Sequence, residues 1–396
     1  MPGTGTTQVQ EYKTETATGE TSSPLLPSRR RRAWRHRPLF WLCTALTLII
    51  LLHTLAVTHS ADPTVVPLDC TGLIHTTDYA QLLHLKPGLQ ELEAVESVSQ
   101  LTGGQPAALL EVGNVAGEPS LDMYIYGCSA QEPRPQLQPL FAERGLIDGT
   151  VTISQANTLI TSELDQALLP QARVMLQPMQ QSIYREYAWH KGSFIQVAFP
   201  GMYPVASRGE AELLQQQSDD GQALPWSDPR VTAQQMAQDI FKWGSGDIQQ
   251  TLLNTDGINA QVLLVRQNPH LEVTVSLSRL IQRDTTGLWF VTDARSAGIG
   301  LDQAHLLPPI SSPLVFAGTG MLPDGQATAI LFDHTLTPLP TLNSAALNID
   351  TNGTFTGALP YANIAPDQQG LLLVQTLPAK NTTEMGRVLL ASVMLG

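Results

Sequence analysis

The chain has 396 residues, of which 42% are hydrophobic and 14% charged, and its formal net charge is −13. This length is enough for two or three domains that each bury a core. An acidic chain with few lysines and arginines lacks the cations that neutralise phosphate groups, so we expect no nucleic-acid partner.

The N-terminal region combines a polar tail, an arginine cluster and an apolar segment. Residues 1–28 are rich in Thr, Ser, Gly and Pro, which predicts disorder. Leu39–Val57 then contains no Asp, Glu, Lys or Arg, and as a helix it would be about 28 Å long, close to the hydrocarbon thickness of a bilayer. The pattern predicts one transmembrane helix over residues 38–58. The cluster before it consists of Arg29, Arg30, Arg31, Arg32, Arg35 and Arg37.

The distribution of charge predicts the orientation of this helix. Residues 1–37 hold seven cations and three glutamates, a net charge of +4, which leaves −17 for the rest of a chain whose total is −13. Lys86 is the first Lys or Arg after the apolar segment. By the positive-inside rule the arginines are topogenic, the basic tail is cytoplasmic and the bulk of the chain is extracytoplasmic. The alternative is a cleaved signal peptide, in which residues 39–57 are the apolar region and the small residues near His59-Ser60-Ala61 mark the cleavage site.

Three cysteines occur in the chain. Cys43 lies in the apolar segment, whereas Cys70 and Cys128 follow it, in a compartment that we expect to permit disulfides. We predict a bridge between Cys70 and Cys128. Two unpaired buried thiols are the alternative.

Residues 59–205 mix strand-like and helix-like pieces, which predicts an α+β ectodomain. Ser162–Leu169 has a helical pattern before Pro170. Two β-rich runs, Ile183–Trp189 and Ser193–Phe199, are separated by three residues that end in Gly192, and this spacing predicts a hairpin.

Residues 206–301 predict a second domain, a helical part followed by an antiparallel meander. Ser207 and Glu210 have the spacing of a capping box, and Asp228-Pro229 is typical of a helix start. The short connectors between the strand-like runs allow only antiparallel neighbours. These runs are Ile258–Val265, Leu271–Ile281 and Leu288–Ala294.

Residues 302–396 show short strand candidates with turn residues between them, which predicts a β-sandwich. Ile310-Ser311-Ser312-Pro313, Gly318, Asn352-Gly353-Thr354-Phe355 and a last strand after Gly386 carry a resemblance. Over about 85 residues this region resembles the Ig-like domain at the end of bacterial spore-germination and related envelope proteins. The resemblance implies an interaction module of the cell envelope, without catalytic residues. The predicted fold class is thus a single-pass membrane protein with an α+β ectodomain and a C-terminal Ig-like β-sandwich.

Candidate constellations for chemistry are sparse. His75, Asp78 and His84 could ligate a metal, but the nine-residue spacing of the histidines fits no metal motif. Asp350–Gly353 is similar to part of a calcium loop, yet Asn-Gly between strands is typical of a hairpin turn. Asp219 and Asp220 precede a glycine, as in a solvated turn.

Catalytic motifs are also missing. The sequence contains no Gly-x-Ser-x-Gly elbow and no phosphate-binding loop. Trp226, Trp243 and Trp289 could stack on carbohydrate, but aromatic side chains more commonly pack in a core. We therefore expect no catalytic residues, no cofactor and no metal.

These patterns favour a membrane-anchored extracytoplasmic protein of the bacterial envelope that binds or organises partners rather than an enzyme. The expected partners are the membrane, through the helix, and an envelope protein or a glycan. The alternative is an anchored extracellular hydrolase that acts on cell-wall or glycan material, which would need an open cleft with two convergent carboxylates or a histidine-based site.

Overall fold

A computed structural model describes eight ranges of the chain, residues 69–129, 134–167, 181–302, 309–322, 326–340, 347–362, 364–377 and 385–396. Helix α1 (Cys70–Thr76) and helix α2 (Tyr79–Leu82) come first. Each begins after an aspartate whose carboxylate accepts a hydrogen bond from a backbone N–H of the first turn. The first sheet is antiparallel and contains, in spatial order, β1 (Gln90–Ser97), β2 (Ala107–Asn114), β3 (Ser120–Ser129) and β4 (Gln136–Ile147).

The second sheet packs on the first through a shared apolar cluster that includes Leu109, Ile125 and Phe194. The predicted hairpin is confirmed, because the last two strands of this sheet pair across a turn in which Lys191 and Gly192 have positive φ. The sheet contains, in spatial order, β5 (Thr150–Ile153), β6 (Leu159–Leu164), β7 (Ser182–His190) and β8 (Ser193–Val197).

Two longer helices follow, α3 (Arg208–Asp219) and α4 (Pro229–Asp239). The predicted capping box starts α3: the Ser207 hydroxyl accepts from the Glu210 N–H at 3.2 Å and donates to the Glu210 carboxylate at 2.8 Å. Asp228 caps α4 with Pro229 in the first position, which confirms the second predicted start. Short 3-10 helices occupy Ser99–Thr102, Pro225–Ser227 and Ser245–Asp247.

The remaining strands form two antiparallel sheets. They are β9 (Ile248–Thr255), β10 (Asn259–Gln267), β11 (His270–Ser278), β12 (Phe290–Arg295), β13 (Gly300–Leu301), β14 (Leu314–Thr319), β15 (Gln326–Phe332), β16 (Asn348–Ile349), β17 (Thr354–Leu359), β18 (Gln368–Leu377) and β19 (Arg387–Leu395). The third sheet has the order β15-β18-β19-β12-β11-β10-β9, and the fourth has the order β13-β14-β17-β16.

The main core lies on both faces of the third sheet. Along β18, Leu371 and Leu373 pack in the cluster that contains α4, while Leu372 and Val374 pack in the cluster shared with the fourth sheet. Side chains alternate between the faces of a strand, so a strand covered on both sides has a continuous apolar run. The sequence Gly370–Val374 is such a run.

The predicted fold class is wrong. The described residues are mostly β-strand with four short α-helices, and none of these helices is both long enough and apolar enough to cross a membrane.

The predicted helix over Ser162–Leu169 is also wrong at its start, where Ser162 pairs with Tyr184 as part of β6. The meander of residues 206–301 and the strands after residue 302 share the third sheet, because β12 pairs with β19. The predicted transmembrane helix, residues 38–58, lies outside the described residues.

Candidate functional site

The predicted disulfide is present. Cys70 is the first residue of α1 and Cys128 lies near the end of β3, and their Cα atoms are 5.5 Å apart. The bridge therefore ties the helical start of the described chain to the first sheet.

The predicted topogenic arginines, Arg29, Arg30, Arg31, Arg32, Arg35 and Arg37, lie outside the described residues. Of the candidate metal ligands, His75 lies in the last turn of α1, Asp78 caps α2 and His84 is exposed. In the ranges that the structure describes, no group of three or more His, Cys, Asp or Glu side chains could hold a metal ion.

The candidates for a calcium loop and for carbohydrate stacking are part of a turn and of the core. The Asp350 carboxylate accepts from the backbone N–H groups of Asn352 and Thr354, as in a turn between strands. Trp243 and Trp289 are each only 3% exposed and pack in the cluster that contains α4. Such burial leaves neither indole face open for carbohydrate stacking.

A β-bulge in β12 lies beside an opening in the third sheet. Ser276 pairs with Asp293 and Leu277 with Val291, so Thr292 is an extra residue opposite β11. A bulge bends its strand and increases the local twist. Beside the bulge, β12 separates from its other neighbour, β19.

The separation begins at Ala294 and Leu390, the last pair of the ladder between β12 and β19. Further along β12, the backbone of Val291 bonds instead to Met202 and Tyr203, at 2.8 and 2.9 Å. Between β12, β19 and residues 198–202 lies a cleft with a volume of about 720 Å³. This volume falls within the range of roughly 300–1,000 Å³ that is typical of ligand sites. We call it the β12/β19 cleft.

The cleft exposes part of a strand edge. The Val388 C=O accepts from the Ser296 N–H at 2.7 Å, and the Met394 C=O accepts from the Ile310 N–H at 3.0 Å, so both residues direct their backbone groups to the outer edge of β19. Backbone direction alternates along a strand, so Ser392 points the same way. Its N–H and C=O have no partner in the β12 ladder and face the cleft.

The cleft has an apolar wall and a charged rim. Phe199 and Met202 are buried side chains of the wall. At the rim, the Arg295 Nε lies 3.0 Å from an Asp293 carboxylate oxygen. Burial raises the pKa of Asp293, and the Arg295 guanidinium opposes this shift without cancelling it. The cleft thus combines apolar surface, one ion pair and an open strand edge.

A second polar group of residues is centred on Arg185. Its guanidinium lies 2.6 Å from Glu163 and 3.6 Å from Glu143, and it donates to the Pro366 C=O at 2.9 Å. The Tyr187 hydroxyl donates to the Glu143 carboxylate at 3.1 Å, and burial raises the pKa of Glu143. Because Arg185 holds both carboxylates, this cluster joins β4, β6 and β7 to the segment before β18 rather than presenting a free acid and base.

A third group links α3 to the turns after β6 and β15. The His334 Nε2 lies 3.1 Å from an Asp165 carboxylate oxygen, and the His334 N–H donates to the Gln368 side chain at 3.1 Å. Glu210, only 2% exposed, lies near them, and burial raises its pKa to about 7, against the opposing effects of His334 and the Ser207 hydroxyl. These residues are buried, so we assign them to stability.

The sequence patterns did not reveal the β12/β19 cleft. Leu288–Ala294 was predicted as a strand, but no residue in it marks a bulge, and the ladder to β19 joins residues almost a hundred positions apart. No protein-family model matches the chain, and no curated protein sequence matches it.

Proposed function

We propose that this protein is an extracytoplasmic binding protein that holds an extended segment of a partner protein in the β12/β19 cleft. The observation that carries this proposal is the open edge of β19 at Ser392 within a cleft of ligand-binding size. An extended peptide can add to such an edge, because its backbone supplies the missing donor and acceptor.

The surroundings of Ser392 suit a peptide better than a polar small molecule. Main-chain hydrogen bonds provide affinity in strand addition, and pockets for alternate side chains provide specificity. Phe199 and Met202 would take an apolar side chain. Asp293 and Arg295 at the rim would contact polar or charged side chains of the segment.

The disulfide supports the extracytoplasmic location. Structural disulfides persist in oxidising compartments and are rare in the cytosol of most organisms. The Cys70–Cys128 bridge therefore favours an exported domain. A binding and scaffolding role in a bacterial envelope agrees with this location, and an envelope protein is the partner class we propose.

The alternative function, a hydrolase of glycan material, has weaker support. A glycosidase requires two carboxylates that flank the scissile bond. Among the described residues that line the β12/β19 cleft, Asp293 is the single carboxylate, and it is paired with Arg295. Glu143 and Glu163 do converge, but on Arg185.

Site-specific photo-crosslinking in cells tests the proposal. A photoreactive amino acid replaces Arg295 at the cleft rim, and the matched control replaces Arg230 on α4, which is similarly exposed and also paired with a nearby aspartate. We expect position 295, and not position 230, to cross-link to one peptide segment that mass spectrometry can identify.

A second variant links this result to the strand edge. Ser392→Pro removes the outward N–H without removing a bond to β18, since prolines are tolerated where the N–H faces away from the ladder. Cross-linking at position 295 should then be lost while the protein stays folded by circular dichroism. Equal labelling at positions 230 and 295, or cross-links that persist in Ser392→Pro, would contradict the proposal.

A further inference from the structure

The edge strand β9 is unusually open. Among the described strands it pairs with β10 alone, at the end of the third sheet. Every residue of β9 after Ile248 is exposed, including Leu252 at 38% and Leu253 at 50%. An exposed edge with apolar side chains is a template for pairing with another strand.

The direction of the backbone groups follows from the pairing with β10. The Asn259 C=O accepts from the Asp256 N–H at 3.1 Å, so Asn259 directs its backbone groups to β9. Every second residue after it points the same way, and Leu263 and Val265 are two of them. The hydrogen-bonded pairs between β9 and β10 therefore involve Leu263 and Val265.

The residues of β9 that alternate with the hydrogen-bonded ones direct their backbone groups to the outer edge of the strand. Leu263 pairs with Thr251 and Val265 with Gln249, so Thr251 and Gln249 point inward to β10. Ile248, Gln250 and Leu252 consequently direct their N–H and C=O groups outward. The pairing is interrupted at Leu253, an extra residue opposite β10, and resumes at Asn254.

We propose that two copies of this chain associate through antiparallel pairing of their β9 strands about a two-fold axis at Gln250. In this register Gln250 pairs with Gln250 of the second copy, and Ile248 pairs with Leu252 of the second copy. All of these residues point outward, so each pair exchanges both N–H···O=C bonds. A two-fold interface uses one patch twice, which a strand pairing with itself satisfies.

Charge favours β9 over the edge strand β1 as the place where two copies meet. The chain has a net charge of −13, so copies repel one another except through neutral surface. No residue of β9 is charged. In contrast, the edge strand β1 carries Glu91, Glu93 and Glu96, which would face their counterparts in a second copy.

On the face of β9 next to α4, the side chains of the two copies would also fit together. Ile248, Gln250 and Leu252 share one face of β9, where Ile248 packs partly against the core and the Gln250 amide donates to Gln234 of α4 at 3.1 Å. Leu252 of the second copy would cover Ile248. The pairing thus extends the apolar cluster beneath α4 across the axis.

A pair of substitutions on edge strands tests the proposal in the purified full-length protein. A single strand pair buries less than a typical stable interface, so the mass is measured by analytical ultracentrifugation from low to high micromolar concentration. We expect the wild type to dimerise with concentration and Leu252→Lys to stay monomeric. Val95→Lys on β1, where Val95 is 46% exposed, should dimerise like the wild type.

Cysteine cross-linking tests the register. The two copies of residue 250 would have Cα atoms about 5.5 Å apart, within reach of a disulfide, whereas the two copies of residue 254 would be about 26 Å apart. Oxidation should therefore convert Gln250→Cys to a covalent dimer faster than Asn254→Cys. A wild type that stays monomeric, a Leu252→Lys variant that still dimerises, or equal cross-linking at both positions would overturn the proposal.

Discussion

Replacement of Glu210 by Gln should remove a large part of the pH dependence of stability. Burial raises the pKa of Glu210 from its ordinary 4.5 to about 7, so between these values the folded protein holds a proton that the unfolded chain has released. The stability from this proton is complete below pH 4.5, decreases as pH rises and is lost above pH 7. At about 1.4 kcal/mol per pH unit, the loss is about 3 kcal/mol.

Urea unfolding followed by tryptophan fluorescence, at intervals from pH 5 to pH 8, measures this effect. Glu210→Gln keeps a hydrogen-bonding side chain beside Ser207 but cannot ionise, so its free energy of unfolding should fall less than that of the wild type, by up to about 3 kcal/mol. Asp220→Asn removes an exposed carboxylate just after the same helix and should keep the wild-type profile. Parallel profiles for Glu210→Gln and the wild type would refute the assignment.

Two further stability predictions concern the links between elements. Cys70→Ser should lower the free energy of unfolding by about 4 kcal/mol in the chain-entropy model, because the bridge to Cys128 closes a loop with a sequence separation of 58. Urea unfolding of the variant measures this loss. Reduction of the wild type should give a similar loss. Arg185→Ala should cost about 3 kcal/mol, because the partly buried carboxylates of Glu143 and Glu163 lose the buried cation between them. Addition of Glu143→Gln and Glu163→Gln to that variant should recover part of the loss, and no recovery would contradict the electrostatic explanation.

Local chemistry made part of the fold predictable. The Ser207–Glu210 capping box and the Asp228-Pro229 start each act within one helical turn, and both helices begin where these residues indicate. The hairpin around Gly192 depends on a turn of similar size. In each of them the residues that determine the conformation are neighbours in sequence.

Pairing between distant segments was not predictable in the same way. Leu159–Leu164 is a strand because it lies between β5 and β7, although Ser162–Leu169 has a helical pattern. Strand β9 was not predicted, since Ile248–Thr255 has polar residues on both faces and lacks the alternation of a half-buried strand. The ladder from β12 to β19 likewise has no signal in either segment, so two predicted domains turned out to share a sheet.

Both proposed binding edges lie on strands that contain a β-bulge or pair next to one. In a regular ladder neighbouring strands satisfy each other's backbone groups along their whole length, whereas Thr292 and Leu253 each insert one residue that interrupts a register. The interruption at Thr292 lies beside the open edge of β19 inside the third sheet, and the one at Leu253 shifts the register of the edge strand β9. Ala294 and Leu390, beside the cleft, belong to the same core cluster as α4. The cleft is therefore held by packed elements before a partner arrives, so binding there requires ordering of the partner segment but little reorganisation of this protein.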